Sequence, residues 1–567
     1  MDTMNQFYRR LQEGLPERSP PARDAFQVDP KSLKRWIDAL PLANASVAAR
    51  MLFQAVRELN RMAIDPIVRL TALESLRLPI GQLADAIDRQ IVGSSFPLPP
   101  QKAQLALAAR EFQREMAVGY RFAVVELCGA EGKVPFLRGR AVALALERAI
   151  SHLNAELCKG YFVYAAPVEG VWRTMNALYG HAMAVKLEDK MLDDPLLGGA
   201  DCCPRWSYAH ALLLAASNPY RLTQKEIHEA FQIARAWAPS TQLRAGSGGA
   251  RAYAVPLEDD RGPGYLPEER SAGQGSLLSF ETSMLEGELT RQLEMAGALG
   301  GNLSFRVKSG AAITVGADLV RRLMTAWQFH PDRAHSRLPA GHAMDTLVGL
   351  HAVHFHLAGG IDFETFVRRA CGTAIHATER ERLASWASAP NETGKPDVAR
   401  ARVLDQGLGG YRLLWEPTEQ VRARVGEVIA ISLPPEADEA AEDRDWMVGM
   451  IRWLRIQPGG GVDAGIELLA RRARPAVLRA LDGAGLPRPS VRAVVLSRMG
   501  EREPAAPVVL VAPAVIERGA PRYELRAAPD RYAEVDGVEI VAIPQISVIE
   551  QSPTYVRLGA TPGEVAA

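Results

Sequence analysis

"DQGLGGYRLLW", residues 405–415, sets three glycines within four positions behind an acid and ahead of a strand-like run. Glycine reaches φ > 0 without steric cost, so the stretch reads first as a tight turn between two strands. A loop that cradles phosphate, or one wall of a ligand site, would use the same residue types. The segment alone does not choose among the three, and the surrounding chain has to.

Downstream the spacing is that of short strands. "GEVIAISL", "WMVGMIRWLRI" and "VDAGIELLAR" follow within the next sixty or so residues, separated by Gly, Pro and Asp turns. "VRAVVLS", "APVVLVAPAVI", "RYELRA", "GVEIVAIP" and "YVRL" continue to the carboxyl end. Upstream, "MDTLVGLHAVHFHL" and "ARARVLD" have the same character, with "DFETFVRRA" as a short helical interruption. Many short strands with turn signals between them predict one or two small β-barrels.

The first half has the other periodicity. Asp29 is placed to cap a helix that starts at Pro30, and Leu33, Trp36, Ile37 and Leu40 fall on one of its faces. Patterned segments near 44–62, 67–92, 100–128, 138–164 and 169–186 extend the helical region. Thr223 and Glu226 have capping-box spacing, and Leu222 and Ile227 are placed for a hydrophobic staple. Composition then shifts: "LRAGSGGARAYAVPLEDDRGPGYLPEERSAGQGS", about 243–276, is dominated by Gly, Pro and charge and marks a boundary. Its "GSGGA" lacks the Lys-Ser/Thr of a P-loop. Short helical patterns follow at 282–297 and 317–328.

Bulk properties exclude several functions. A chain of 567 residues should divide into several domains. Sixty-six basic residues balance 66 acidic ones, which argues against nucleic-acid coating but leaves room for a local basic pocket. The start has no apolar signal core, and no apolar run nears the roughly 20 residues that span a bilayer. The expectation is a cytoplasmic protein without a transmembrane segment. Its five scattered cysteines read as reduced thiols.

No catalytic constellation emerges. There is no GxSxG elbow, and the paired carboxylates of "EDDR" and "LEDKMLDD" lie in charged surroundings that read as solvated surface. On a strand, His354 and His356 would share a face while His351 points away. Zinc needs three or four convergent ligands, so no metal is expected there.

Upstream of the opening turn, "HPDRAHSRLPAG" places Arg333 and Arg337 four residues apart, just ahead of the first β-run. This arginine pair, the acid-led glycine turn and the following strand pair (446–456 and 462–471) resemble the PilZ family. PilZ domains are small β-barrels that bind the bacterial second messenger cyclic di-GMP through RxxxR before the barrel and (D/N)xSxxG at a turn within it. Asp405, Gly407 and Gly410 occupy the three defined positions of the second motif. Gly407 stands where the family has serine. The interval between Arg337 and Asp405 is also longer than the family's, implying an insertion at about 358–398.

The resemblance implies an α+β protein. A helical scaffold (1–242) would lead through a linker with short connecting helices (243–330) into an atypical PilZ-like barrel (331–475), then a C-terminal β subdomain (476–567). It also implies a non-enzymatic receptor, with no cofactor, whose ligand cyclic di-GMP is held by Arg333, Arg337, Asp405, Gly407 and Gly410. Arginine suits both parts of that ligand, pairing bidentately with phosphate or guanine and stacking on a base. The expected output is surface behaviour such as type IV pili, motility or biofilm formation, relayed through an unidentified protein partner in pilus or motility machinery, with no DNA or RNA. The second reading is a degenerate PilZ scaffold that no longer binds nucleotide.

Overall fold

The computed structural model describes residues 3–561 except 23–24, 130, 247–251, 265–276, 296–301, 307–311, 329–336, 372–394, 436–443, 486, 498–507, 512–521, 529–538, 544 and 553. It divides into two compact units, Met1–Ser94 with Leu98–Asp332 and Ser95–Pro97 with Arg333–Ala567.

The first unit opens with helices α1 (Thr3–Gln12), α2 (Pro30–Asp38), α3 (Ala45–Arg61), α4 (Pro66–Ile91), α5 (Pro100–Leu127), α6 (Gly139–Phe162) and α7 (Val171–Ala184). A small hairpin, β1 (Leu192–Asp194) and β2 (Ala200–Cys202), precedes α8 (Pro204–Ala216) and α9 (Gln224–Trp237). The expected caps form. Asp29 accepts from the Ser32 N–H at 3.0 Å with Pro30 leading the helix, and Thr223 and Glu226 close a reciprocal capping box. Leu222 and Ile227 are both buried beside it. Arg69, fully buried in α4, ties the bundle together. Its Nη atoms donate to the Leu59 and Met62 carbonyls at the end of α3, each at 2.6 Å, and its Nε reaches Glu126 of α5 at 3.1 Å. Carbonyls at a helix end lack intrahelical donors, so a buried cation there is well matched.

Residues 243–330, expected as linker and connecting helices, belong to this first unit. They form a sheet in the order β3 (Gln242–Ala245), β5 (Leu277–Glu281), β4 (Tyr253–Pro256), then α10 (Ser283–Met295), a hairpin β6 (Asn302–Arg306)–β7 (Ala312–Gly316) and α11 (Ala317–Trp327). Trp327 anchors the segment: its buried Nε1 donates to the Leu213 carbonyl (3.0 Å) and to Ser217 Oγ (2.9 Å). Thr282 and Tyr253 donate to the carbonyls of Trp327 and Ala326. Gly, Pro and charge dominate the start of the segment, yet Tyr253, Val255, Leu278, Phe280 and Trp327 are buried.

In the second unit a short β8 (Leu338–Pro339) precedes β9 (Ala343–Val348), β10 (Ala399–Gly407), β11 (Gly410–Trp415), β12 (Val428–Ser432), β13 (Met447–Ile456) and β14 (Val462–Ala470). The order β11-β14-β13-β12-β9-β10 closes through β10–β11 into a barrel, with β8 added to β10. Closure leaves these strands no open edge. Inside, Trp415 Nε1 donates to Thr346 Oγ1 (2.9 Å), which donates to the Ala399 carbonyl (2.8 Å), so three strands share one buried chain of hydrogen bonds. Phe96 exchanges two 2.9 Å backbone hydrogen bonds with Ala423 of this unit.

The segment "LHAVHFHL" is not the strand its composition suggested. Gly349 (φ +98°) ends β9, and Leu350–Leu357 form helix α12. Leu350, Val353 and Leu357 recur at helical spacing and are buried with Val448, Met450, Val494 and Leu510. A second helix, α13 (Phe363–Cys371), falls in the anticipated insertion. The C-terminal strands form a seven-stranded sheet in the order β19 (Glu539–Ile543), β18 (Arg522–Ala527), β15 (Arg472–Leu481), β16 (Val491–Ser497), β17 (Val508–Val511), β21 (Val556–Thr561), β20 (Gln545–Gln551). Among the described residues no helix is long and apolar enough to cross a membrane.

Candidate functional site

The opening turn is the β10–β11 hairpin. Gly407 and Gly410 face each other in register, Leu408 stands 78% exposed at the tip, and Gly410 also pairs with Glu467 of β14. Gly410 is fixed by space. A Cβ there would land on the Ile466 carbonyl oxygen of the neighbouring strand, so only glycine lets the two backbones run this close. On the other side of the hairpin end, the Leu468 N–H donates to the Gly409 carbonyl at 2.9 Å.

Asp405 reaches its position through a β-bulge. Pairing runs Arg402↔Leu414 and Val403↔Leu413, then skips Leu404 to continue Asp405↔Arg412. Two residues of β10 oppose one of β11, as in a bulge that re-aims a side chain. Ala399, Ala401 and Val403 point into the core, as does Leu413, while Asp405 and Arg412 lie together outside it.

Arg337, just before β8, meets this acid. Its Nη1 donates to Asp405 Oδ1 at 2.7 Å, and β8 pairs with β10 at Pro339↔Asp405 and Leu338↔Gln406. A short strand therefore delivers the second arginine of the upstream pair to the hairpin. Asp405 Oδ2 is also 3.8 Å from Arg412 Nη1. Arg333 lies outside the described residues.

Sequence reasoning missed the rest of this surface. Arg412 grips the fully buried Asp463 with Nε at 3.0 Å and Nη2 at 2.7 Å, and Gln457 donates to the same carboxylate at 3.1 Å. Hydrogen bonding to Asp463 is the main reason the Arg412 guanidinium is held more firmly protonated than usual. Its carbon lies 5.9 Å from the centre of the Trp453 ring. Trp453 can lie there because its register partner is Gly465, where a Cβ would collide with the indole. Asp405, Arg412, Gly465 and Trp453 thus form one row across β10, β11, β14 and β13. The residue types were present in "YRLLW" and "MIRWL", an arginine or tryptophan set among core residues. Neither run showed that the other three strands lay beside it.

Among the described residues the histidines do not gather into a metal centre. His354 is buried on α12, with Nε2 3.2 Å from the Ala476 carbonyl, and His356 Nε2 is 3.5 Å from that of Pro396. Burial lowers the His354 pKa to about 3, so it is neutral at physiological pH. Among the described residues no group of three or more His, Cys, Asp or Glu could hold a metal ion.

Comparison with known proteins bears on both units. Residues 31–247 match the family model of the N-terminal domain of the cyclic-di-GMP receptor FimW, and residues 252–395 and 376–475 match that of its middle PilZ domain. The chain is 23% identical over 497 residues to the cyclic-di-GMP receptor FimW of Pseudomonas aeruginosa, covering 80% of this chain and 79% of that protein.

Proposed function

From the premise that the chain belongs to the FimW family of PilZ-domain proteins, we propose that it is a non-enzymatic receptor for cyclic di-GMP. The ligand binds between the lead-in that carries Arg333 and Arg337 and the hairpin of Asp405, Gly407 and Gly410. One observation carries this reading: the Arg337–Asp405 contact brings together two motif elements 68 residues apart in the chain. The chemistry suits the residues. A guanidinium has five N–H donors, and the contact to Asp405 engages Nη1, so Arg337 can keep that bond and still reach a phosphate oxygen. Asp405 can accept from the N–H donors of a guanine edge, and the glycine hairpin admits the ligand close to backbone.

The receptor works in the cytoplasm and relays the ligand to surface behaviour through a protein partner in pilus or motility machinery. A ligand shifts such a relay only by binding two arrangements of the protein unequally. Calorimetric titration with cyclic di-GMP tests the first step, comparing the native chain with the Arg333→Ala/Arg337→Ala variant. Saturable binding by the native chain and its loss in the variant are expected, whereas no heat from the native chain at high micromolar ligand overturns the reading. One observation favours a scaffold without nucleotide: Gly407 offers no hydroxyl. That alternative gives the same partners in a pull-down whether or not nucleotide is added.

A further inference from the structure

The loop that joins α5 to α6 carries an apolar tip that the receptor function does not use. The Arg138 N–H donates to the Pro135 carbonyl at 3.0 Å, closing a four-residue turn with Phe136 and Leu137 at its centre. Phe136 is 96% exposed and Leu137 90%, and no other large apolar side chain among the described residues is as exposed. The middle of a turn ordinarily takes Gly, Asn, Asp or Ser. Two adjacent bulky side chains there add nothing to the packing of the chain itself, and they point to an apolar phase outside it.

The base of the loop is fixed. The Gly129 N–H donates to the Lys133 carbonyl at 2.8 Å, and the Gly132 N–H to the Gly129 carbonyl at 2.9 Å. Gly132 lies against Tyr8 of α1, where a Cβ would come within 2.7 Å of the ring. Tyr8 is held in turn, its Oη donating to the Val125 carbonyl of α5 at 2.9 Å. The tip is therefore presented from a pinned base.

Cations flank it. Arg138 follows the tip directly. Leu187, 3.9 Å from where a Gly139 Cβ would stand, brings Lys186 and Lys190 to the start of α6. All three basic residues are exposed, and none forms an ion pair among the described residues. The acids nearby are already engaged: Glu131 by Lys133 at 2.7 Å, Asp193 by Arg140 at 3.4 Å and Asp189 by Arg205 at 2.5 Å.

We propose that the α5–α6 loop docks the protein reversibly on a bilayer of anionic phospholipid. Phe136 and Leu137 enter the headgroup layer, while Arg138, Lys186 and Lys190 face its phosphates. One short loop gives weak attachment, and its electrostatic part is screened by salt. Pairing of two copies through this tip would instead set the same cations against one another.

The test is co-sedimentation of the full chain with vesicles of mixed phosphatidylglycerol and phosphatidylcholine, against vesicles of phosphatidylcholine alone. Binding to the anionic vesicles is expected to be at least tenfold tighter and to weaken as salt is raised. Phe136→Ser/Leu137→Ser should weaken it at least tenfold with Tm unchanged, because neither side chain packs within the fold. Arg138→Gln should weaken it a few-fold. No binding to anionic vesicles, equal binding to both kinds, or native binding by the double variant would overturn the proposal. Self-association that the double variant abolishes, without vesicle binding, would overturn it in favour of a second copy.

Discussion

Arg337 and Asp405 are joined at 2.7 Å across 68 residues of chain, and Asp405 in turn lies 3.8 Å from Arg412. The acid of the hairpin therefore sits between two cations, one from the lead-in and one from the adjacent strand.

That arrangement separates stability from recognition. The Arg337 side chain is 41% exposed, and exposed ion pairs contribute about 0–1 kcal/mol. Arg337→Ala should move the urea midpoint little yet weaken cyclic di-GMP binding at least tenfold, a loss of about 1.4 kcal/mol. A variant that loses stability but keeps its affinity would make the arginine structural.

The missing hydroxyl is a second handle. Gly407→Ser places an O–H on the hairpin, and one hydrogen bond to a ligand contributes about 0.5–1.5 kcal/mol net. Calorimetry should show cyclic di-GMP binding tightened by a few-fold to tenfold. An unchanged or weakened affinity would mean that the ligand does not pass this position.

Trp453 over Gly465 predicts a coupling. Gly465→Ala should cost about 1–3 kcal/mol by overpacking and perturb tryptophan fluorescence. Because the collision is with the indole, the same change in a Trp453→Ala background should cost less, and the double-mutant cycle measures the difference. Purely additive losses would refute this account of the glycine.

Acid should weaken the helical unit. Burial lowers the pKa of His152 and His210 to about 3, with nearby arginines adding to it, against 6.5 for an exposed imidazole. The unfolded chain therefore binds more protons between those values, and stability falls as pH drops below about 6.5. The loss approaches 1.4 kcal/mol per pH unit for each histidine. Urea denaturation from pH 7 to pH 5 should show it, and His210→Gln should make the dependence shallower. A flat profile would contradict the burial of neutral rings.

Local signals carried much of this fold. Asp29, Thr223 and Glu226 act through neighbours a few residues away, and the 446–456 and 462–471 strands are legible as short apolar runs bounded by turn residues. "HAVHFH" failed because a short apolar run fits helix or strand equally, and Gly349 with the buried Leu350, Val353 and Leu357 settles it as helix. The role of Trp327 was hidden for another reason: its partners, Leu213 and Ser217, are more than a hundred residues away. The same distance hid Arg412 and Trp453, whose adjacency exists only once β11, β14 and β13 are side by side.

The Leu404 bulge has a consequence for how this surface can change over time. Upstream of it, β10 keeps the rhythm of the barrel interior; downstream, the strand has slipped by one beat and the acid faces out. Core and motif are written out of phase on one strand. Substitutions at Ala399, Ala401 or Val403 can drift with the interior while the motif stays in place. A change that straightened the strand would turn the acid inward and silence the surface without altering a single interior residue.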